Sequence, residues 1–274
     1  MRRSRSIGGK LSARNTAAFL LPSAAAKTRG MTDTATAQRG LAYHLTEGTG
    51  PTIVFLPGYA SDMSGSKAVA LEAWAKAAGR AYLRFDYSGC GESPGDFEDQ
   101  TLEIWRDDAL SLIDTLVSGP VVLVGSSMGG WLMLLVALAR PERVVGMVGI
   151  AAAPDFTDWG FSEEKKLTLL REGRIAEHSE YSDQPTITTR AFWSSGEANR
   201  VMIGSIAFTG PVRLLHGQRD PDVPWERSLK LAELLTGDDV QTWLVKDGDH
   251  RLSRESDIAL IERAVKDVVT TCSL

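Results

Sequence analysis

The sequence is poor in the residues on which metal and redox chemistry depend. It holds two cysteines in 274 residues, Cys90 and Cys272. They stand far apart, and neither has a second cysteine or a histidine at metal-ligand spacing. That excludes a zinc ribbon, a CxxC redox couple and a disulfide framework, and both thiols are read as reduced and structural. No His-Glu-x-x-His run is present. Gly8-Gly9-Lys10 lacks both the preceding strand and the first glycine of a phosphate-binding loop. No metal and no cofactor is implied. No stretch approaches 18 uninterrupted apolar residues, so no membrane span is indicated, and no internal repeat occurs. Only four histidines, His44, His178, His216 and His250, are available as proton acceptors near neutral pH.

Acidic residues are nearly missing from the first forty positions, where Arg2, Arg3, Arg5, Lys10, Arg14, Lys27, Arg29 and Arg39 face Asp33 alone. An Arg- and Ser-rich, acid-poor leader with Ala runs resembles an organelle transit peptide. A start at Met31, or a plain disordered tail, accounts for the same composition, and no amphipathic stripe argues for targeting. The expectation is a disordered leader over residues 1–40 of a cytoplasmic protein, with the mitochondrial matrix as the alternative if the leader is a true transit peptide. Without the leader, 22 basic residues face 34 acidic ones. Such a surface repels nucleic acid and anionic membranes.

What the chain does have is core. With 43% hydrophobic and 24% charged residues, one large α/β domain over residues 41–274 is expected. Its organising stretch is 120–140. Val121-Val122-Leu123-Val124 is the apolar run of a strand buried on both faces, Gly125-Ser126-Ser127-Met128-Gly129 follows, and an apolar segment ending before Pro141 reads as a helix. Gly-x-Ser-x-Gly between a strand and a helix forces a sharp reversal that presents Ser127 above the sheet edge. Ser127 would also stand at a helix N-terminus, where unpaired N–H groups and the dipole favour negative charge.

Strands and helices alternate around this centre. A short strand over 41–45 turns through Gly48-Thr49-Gly50-Pro51 into a second over 52–56. Then come a helix over 66–78, a strand over 81–85, a helix over 103–117 with Trp105, Ala109, Leu112 and Leu116 on its buried stripe, and a strand over 144–152. Residues 155–210 break the alternation and hold Phe156, Trp159, Phe161, Tyr181, Phe192, Trp193 and Phe208, seven of the twenty aromatic residues. One short helix near 163–171 and an irregular remainder are expected there, as a lid over the sheet edge. Each ring either lines a pocket or packs in a satellite core. Regular structure resumes with a strand over 212–215, a helix opened by Pro224-Trp225, a strand over 240–245 and a last helix carrying Ile258, Ile261, Val265 and Val268.

A serine hydroxyl needs a base to take its proton and a carboxylate to orient that base. His44 lies on an early strand, His178 in the lid, and His216 directly before a turn glycine. His250 alone follows a strand end late in the chain. Asp220 stands on the loop after the preceding strand; Asp222, Asp247 and Asp249 compete for the acid role. The order serine, acid, histidine, each after a strand, selects Ser127, Asp220 and His250. Backbone N–H groups of Tyr59, after Pro57-Gly58, and of Met128 stand where oxyanion donors belong.

With these residues in place, the chain from Leu41 onward resembles the α/β-hydrolase-fold serine hydrolases. The runs Phe55-Leu56-Pro57-Gly58-Tyr59, Arg84-Phe85-Asp86-Tyr87-Ser88-Gly89, Gly125-Ser126-Ser127-Met128-Gly129-Gly130-Trp131-Leu132-Met133, Arg213-Leu214-Leu215-His216-Gly217 and Val223-Pro224-Trp225 resemble the branch of palmitoyl-protein thioesterases and acyl-glucuronide esterases. The lid departs from that branch. The resemblance implies a mostly parallel sheet covered by helices, a Ser127, His250, Asp220 triad, and a small-molecule ester or S-acylated protein as substrate. A general carboxylesterase or acyltransferase with the same triad, and a non-catalytic ligand-binding protein on the same fold, are the alternatives. The aromatic lid favours an apolar acyl group.

Overall fold

In a computed structural model, residues 35–36, 40–178 and 185–272 are described. Most of the expected leader, residues 1–34 and 37–39, lies outside them, as does Tyr181. Short β-branched and aliphatic runs make the strands, and longer stretches with a one-sided apolar stripe make the helices between them. In chain order they are β1 (Ala35–Thr36), β2 (Ala42–Thr46), β3 (Thr49–Leu56), α1 (Ser66–Ala77), β4 (Arg80–Phe85), α2 (Leu102–Leu116), β5 (Val121–Ser126), α3 (Met128–Ala139) and β6 (Val144–Ile150). After them come α4 (Phe156–Trp159), α5 (Glu163–Glu172), β7 (Arg174–Glu177), β8 (Thr186–Thr189), α6 (Arg190–Ala198), β9 (Val212–Gly217), α7 (Glu226–Leu234), β10 (Val240–Val245) and α8 (Glu255–Thr271).

Among the described residues, eight strands form one sheet in the order β1-β2-β4-β3-β5-β6-β9-β10. β1 and β2, and β2 and β4, pair antiparallel; every other neighbouring pair is parallel. β5 lies between β3 and β6 with all six of its residues buried. Val121 and Leu123 face a core shared with α2 and α3, while Val122 and Val124 face a second core that takes in α1 and α8. Helices cover both faces, which is why the run Val121-Val122-Leu123-Val124 contains no polar residue.

Two local expectations are corrected. Thr49 to Pro51 are not part of the turn: they begin β3, and β4 lies between β2 and β3. The connection at Gly48 crosses the end of β4, since β2 and β3 both pair with β4 from opposite sides. The segment between β6 and β9 is also more regular than expected. α5 occupies the anticipated place, but α4, α6 and a β7-β8 hairpin join it. Caps bound α5 and α6: the Ser162 hydroxyl accepts from the Lys165 N–H, the Thr189 hydroxyl from the Phe192 N–H, and Gly173 ends α5 at φ 84°. The buried Asp155 carboxylate, on the residue before α4, accepts from the N–H groups of Val201 (2.9 Å) and Met202 (2.8 Å), so the entrance of the segment is fastened to its exit.

Candidate active site

β5 delivers the chain to Ser127, which holds φ 55° and ψ −120° at the N-cap of α3. A non-glycine residue in that region is strained and persists only where its surroundings hold it. Here the Ser127 N–H donates to the Ile150 carbonyl (2.9 Å), and its own carbonyl accepts from the N–H groups of Gly130 (2.9 Å) and Ala153 (3.0 Å). The flanking glycines are required by close approach. A Cβ on Gly125 would lie 2.6 Å from the carbonyl carbon of Gly129, and one on Gly129 would lie 2.6 Å from the Pro57 oxygen and nearer still to that of Leu56. The turn is therefore pressed onto the end of β3.

Ser127 Oγ stands 3.1 Å from His250 Nε2, and His250 Nδ1 stands 2.8 Å from Asp220 Oδ2. The three residues selected from chain order thus meet in space, with His250 partly open and the Asp220 side chain fully buried. The carboxylate accepts from four donors. Oδ1 takes the N–H groups of Asp222 (2.8 Å) and Val223 (2.8 Å), and Oδ2 takes His250 together with His216 Nε2 (3.1 Å). Burial opposes its negative charge, but the hydrogen bonds from His216 and His250, with that from Val223, outweigh burial and hold its pKa well below the usual carboxylate range. None of the competing acids is shown hydrogen-bonded to His250. Asp247 pairs with Arg254 (2.7 Å), Asp249 accepts from the Leu252 N–H (2.9 Å), and Asp222 is exposed at the cleft. His44 lies in β2 in register with Arg84, and His178 is exposed after β7.

His216 was passed over as a strand-end histidine before a turn. It is the last residue but one of β9, fully buried and in contact with Asp220. The i, i+4 spacing of His216 and Asp220 across a glycine was the signal in the sequence.

The expected oxyanion donors adjoin the same serine. A Cβ on Gly58 would sit 3.4 Å from Ser127 Cβ, so the Pro57–Tyr59 backbone runs directly beside it, and Met128 opens α3. Both backbones border a cleft of about 660 Å³ that also exposes Ser127 and His250. Phe97, Phe156, Trp159, Ile187 and Val223 give it apolar walls, while Asp62, Glu98, Lys67 and Arg251 give it charge. Of the aromatic residues between β6 and β9, Phe156 and Trp159 therefore line the cleft. Phe192 and Phe208 are core residues, and Phe192 packs on Tyr59 (4.8 Å between centroids) and Trp105 (5.5 Å). The Tyr59 hydroxyl donates to the Ile187 carbonyl at 2.8 Å, tying the loop after β3 to β8.

Asp220, Asp222 and His250 bring ligand-type atoms within 4.8 Å of one another. Both oxygens of Asp220 already accept two hydrogen bonds each, so a cation there would have to displace the partners that hold the loop. Burial, with the nearby Asp86 and Asp108 charges, pushes the Cys90 thiol up to about 12, which leaves it inert as a nucleophile.

The chain matches the alpha/beta hydrolase family over residues 53–269. It is 41% identical over 237 residues, 85% of this chain and 78% of the other, to the human mitochondrial palmitoyl-protein thioesterase ABHD10. The structure of mouse alpha/beta hydrolase domain-containing protein 10 superposes with a TM-score of 0.81 at 39% identity, covering 87% of this chain and 99% of that one. A crystal structure from Agrobacterium vitis S4, of a protein called a hydrolase, gives 0.80 at 41% identity over 86% and 96% of the two chains. This chain belongs to the alpha/beta hydrolase family.

Proposed function

We propose that the protein hydrolyses acyl thioesters or carboxylic esters through Ser127. The observation that carries this reading is the continuous hydrogen-bonded line Ser127–His250–Asp220 opening into a cleft with apolar walls. His250 Nε2 takes the Ser127 proton as Oγ attacks the acyl carbonyl, and Asp220 stabilises the imidazolium that results. The developing oxyanion takes N–H groups of Tyr59 and Met128, aided by the N-terminus of α3. His250 returns the proton to the leaving thiolate or alkoxide. Water, deprotonated by the same ring, then releases the acid and restores the serine. The segment between β6 and β9 acts as a lid whose Phe156 and Trp159 receive the acyl chain. The human relative's name favours S-acylated protein as substrate. That name also places the relative in mitochondria, which is the compartment to expect if residues 1–40 act as a transit peptide.

The test is hydrolysis of p-nitrophenyl esters, acyl-CoA and S-acyl peptides of graded chain length by wild type and Ser127→Ala. Long-chain thioester turnover, lost in a variant that keeps its circular dichroism spectrum, is expected. Preference for short oxyesters would assign a general carboxylesterase instead, and esterase activity surviving in Ser127→Ala would overturn the nucleophile.

A further inference from the structure

Asp220 lies between two imidazoles, and only one of them reaches the serine. His250 Nδ1 and His216 Nε2 approach the same oxygen, Oδ2, at 2.8 and 3.1 Å. His216 Nε2 also faces the Val223 carbonyl at 3.0 Å. Both of its neighbours are acceptors, so Nε2 must carry hydrogen and share it between them. On the far side of the ring, Nδ1 meets the buried Ser228 hydroxyl on α7 at 2.7 Å. In the neutral ring that hydroxyl donates to Nδ1, which fixes the Nε2–H tautomer that Asp220 needs.

We propose that His216, held in this tautomer by Ser228, is a positioning residue that locks the Asp220 carboxylate in the rotation presenting Oδ2 to His250. This rests on the Ser127 reading above. The reason is geometric. The backbone donors of Asp222 and Val223 hold only Oδ1, and a carboxylate held through one oxygen can still tilt the other away. When His250 gains the serine's proton, the carboxylate must already face Nδ1, because reorganisation at that moment adds to the barrier. The N–H of His216 removes that freedom from within the core, where both side chains are closed to bulk solvent. The line then runs Ser228, His216, Asp220, His250, Ser127, and its first three members never touch substrate.

The experiment compares His216→Leu, which has similar bulk and no donor, with His216→Gln, whose side-chain amide nitrogen reaches toward the place of Nε2. Both are made in the wild-type and Asp220→Asn backgrounds, beside Ser127→Ala. The readouts are kcat and KM on a p-nitrophenyl ester, with thermal melts to count folded protein. His216→Leu is expected to lower kcat about ten- to hundredfold, the range of one hydrogen bond to a charged group, with KM changed less than about twofold. His216→Gln should restore most of that loss. In Asp220→Asn, the further loss from His216→Leu should shrink below about twofold, because its target has gone. Wild-type kcat in His216→Leu overturns the proposal. So does a loss shared equally by Leu and Gln and matched by unfolding, or a loss undiminished in Asp220→Asn. Turnover surviving in Ser127→Ala would instead overturn the hydrolase reading itself.

Discussion

Gly129→Ala adds a single methyl group and should damage both stability and the reaction. A Cβ there would lie 2.6 Å from the Pro57 oxygen and closer to the Leu56 oxygen, whereas real Cβ atoms stay beyond 3.0 Å from such neighbours. The obstacles are backbone, at the buried C-terminal end of β3, so no side chain can swing aside. For the Cβ to reach 3.0 Å from the Leu56 oxygen, either α3 lifts from β3 or the end of β3 and the Pro57–Tyr59 loop move outward by about 1 Å. Overpacking of this kind costs about 1–3 kcal/mol and more where backbone must move. A loss of about 3 kcal/mol corresponds to roughly 6–12 °C in Tm for a domain of this size. The same displacement carries the Pro57–Tyr59 backbone away from Ser127, and with it the Tyr59 N–H that we propose as an oxyanion donor; loss of one such donor costs about 10²–10³ in kcat. Gly119→Ala is the control, since nothing lies within 4 Å of its Cβ. Urea denaturation and esterase kinetics on both variants decide the matter. Wild-type Tm and kcat in Gly129→Ala would refute the close-packing account of this turn.

Two further outcomes follow from the cleft. Lys67, the second residue of α1, donates to the Arg251 carbonyl, and burial, reinforced by the Arg251 charge and opposed by Asp249, pushes its pKa down to about 8. Between about pH 8 and 10.5 the unfolded chain binds the extra proton, so this group's penalty is complete below pH 8 and fades as pH rises through that window. Lys67→Met should therefore stabilise the protein at pH 7 by up to about 3 kcal/mol, with the gain over wild type gone near pH 10.5; a pH-independent difference in urea midpoints would count against it. Trp159→Ala removes an apolar wall whose indole is braced by the Pro154 carbonyl (2.9 Å) and by Arg227 over its ring (4.7 Å). It should raise KM for long-chain p-nitrophenyl esters about tenfold and leave the acetate nearly unchanged, and an equal effect on both would remove Trp159 from the acyl path.

The central fold was legible because burial on both faces leaves a signature in composition: Val121 to Val124 contains nothing polar, and the helix after Gly129 is apolar all round. β7, β8 and α4 left no comparable trace. Each has four residues, about one helical turn or two strand repeats, too few for a repeating pattern to stand out. The crossover at Gly48 was misread for a related reason. Glycine and proline announce that the chain bends, but which strand it then joins is decided by packing of the whole sheet.

The site was legible through topology more than through any motif. Because β3, β5, β9 and β10 are parallel, the loops that follow them all leave at the same edge of the sheet, where ligands of open α/β sheets bind. A serine after β5, an acid after β9, a histidine after β10 and a Pro-Gly loop after β3 are thereby neighbours, although Ser127 and His250 are 123 residues apart. Chain order is thus enough to nominate them. It is not enough for His216, because its role depends on direction. Residues of a strand alternate between faces, and a shift of one position would turn the ring away from Asp220. The pairing of His216 with Leu244 and of Gly217 with Val245 sets the face, and Gly217 lets the loop fold back: a Cβ there would lie 2.6 Å from the Asp249 oxygen. Three residues later, Asp220 arrives beneath the ring it follows in sequence. The residue that sequence reasoning treated as punctuation therefore holds the acid that sequence reasoning chose.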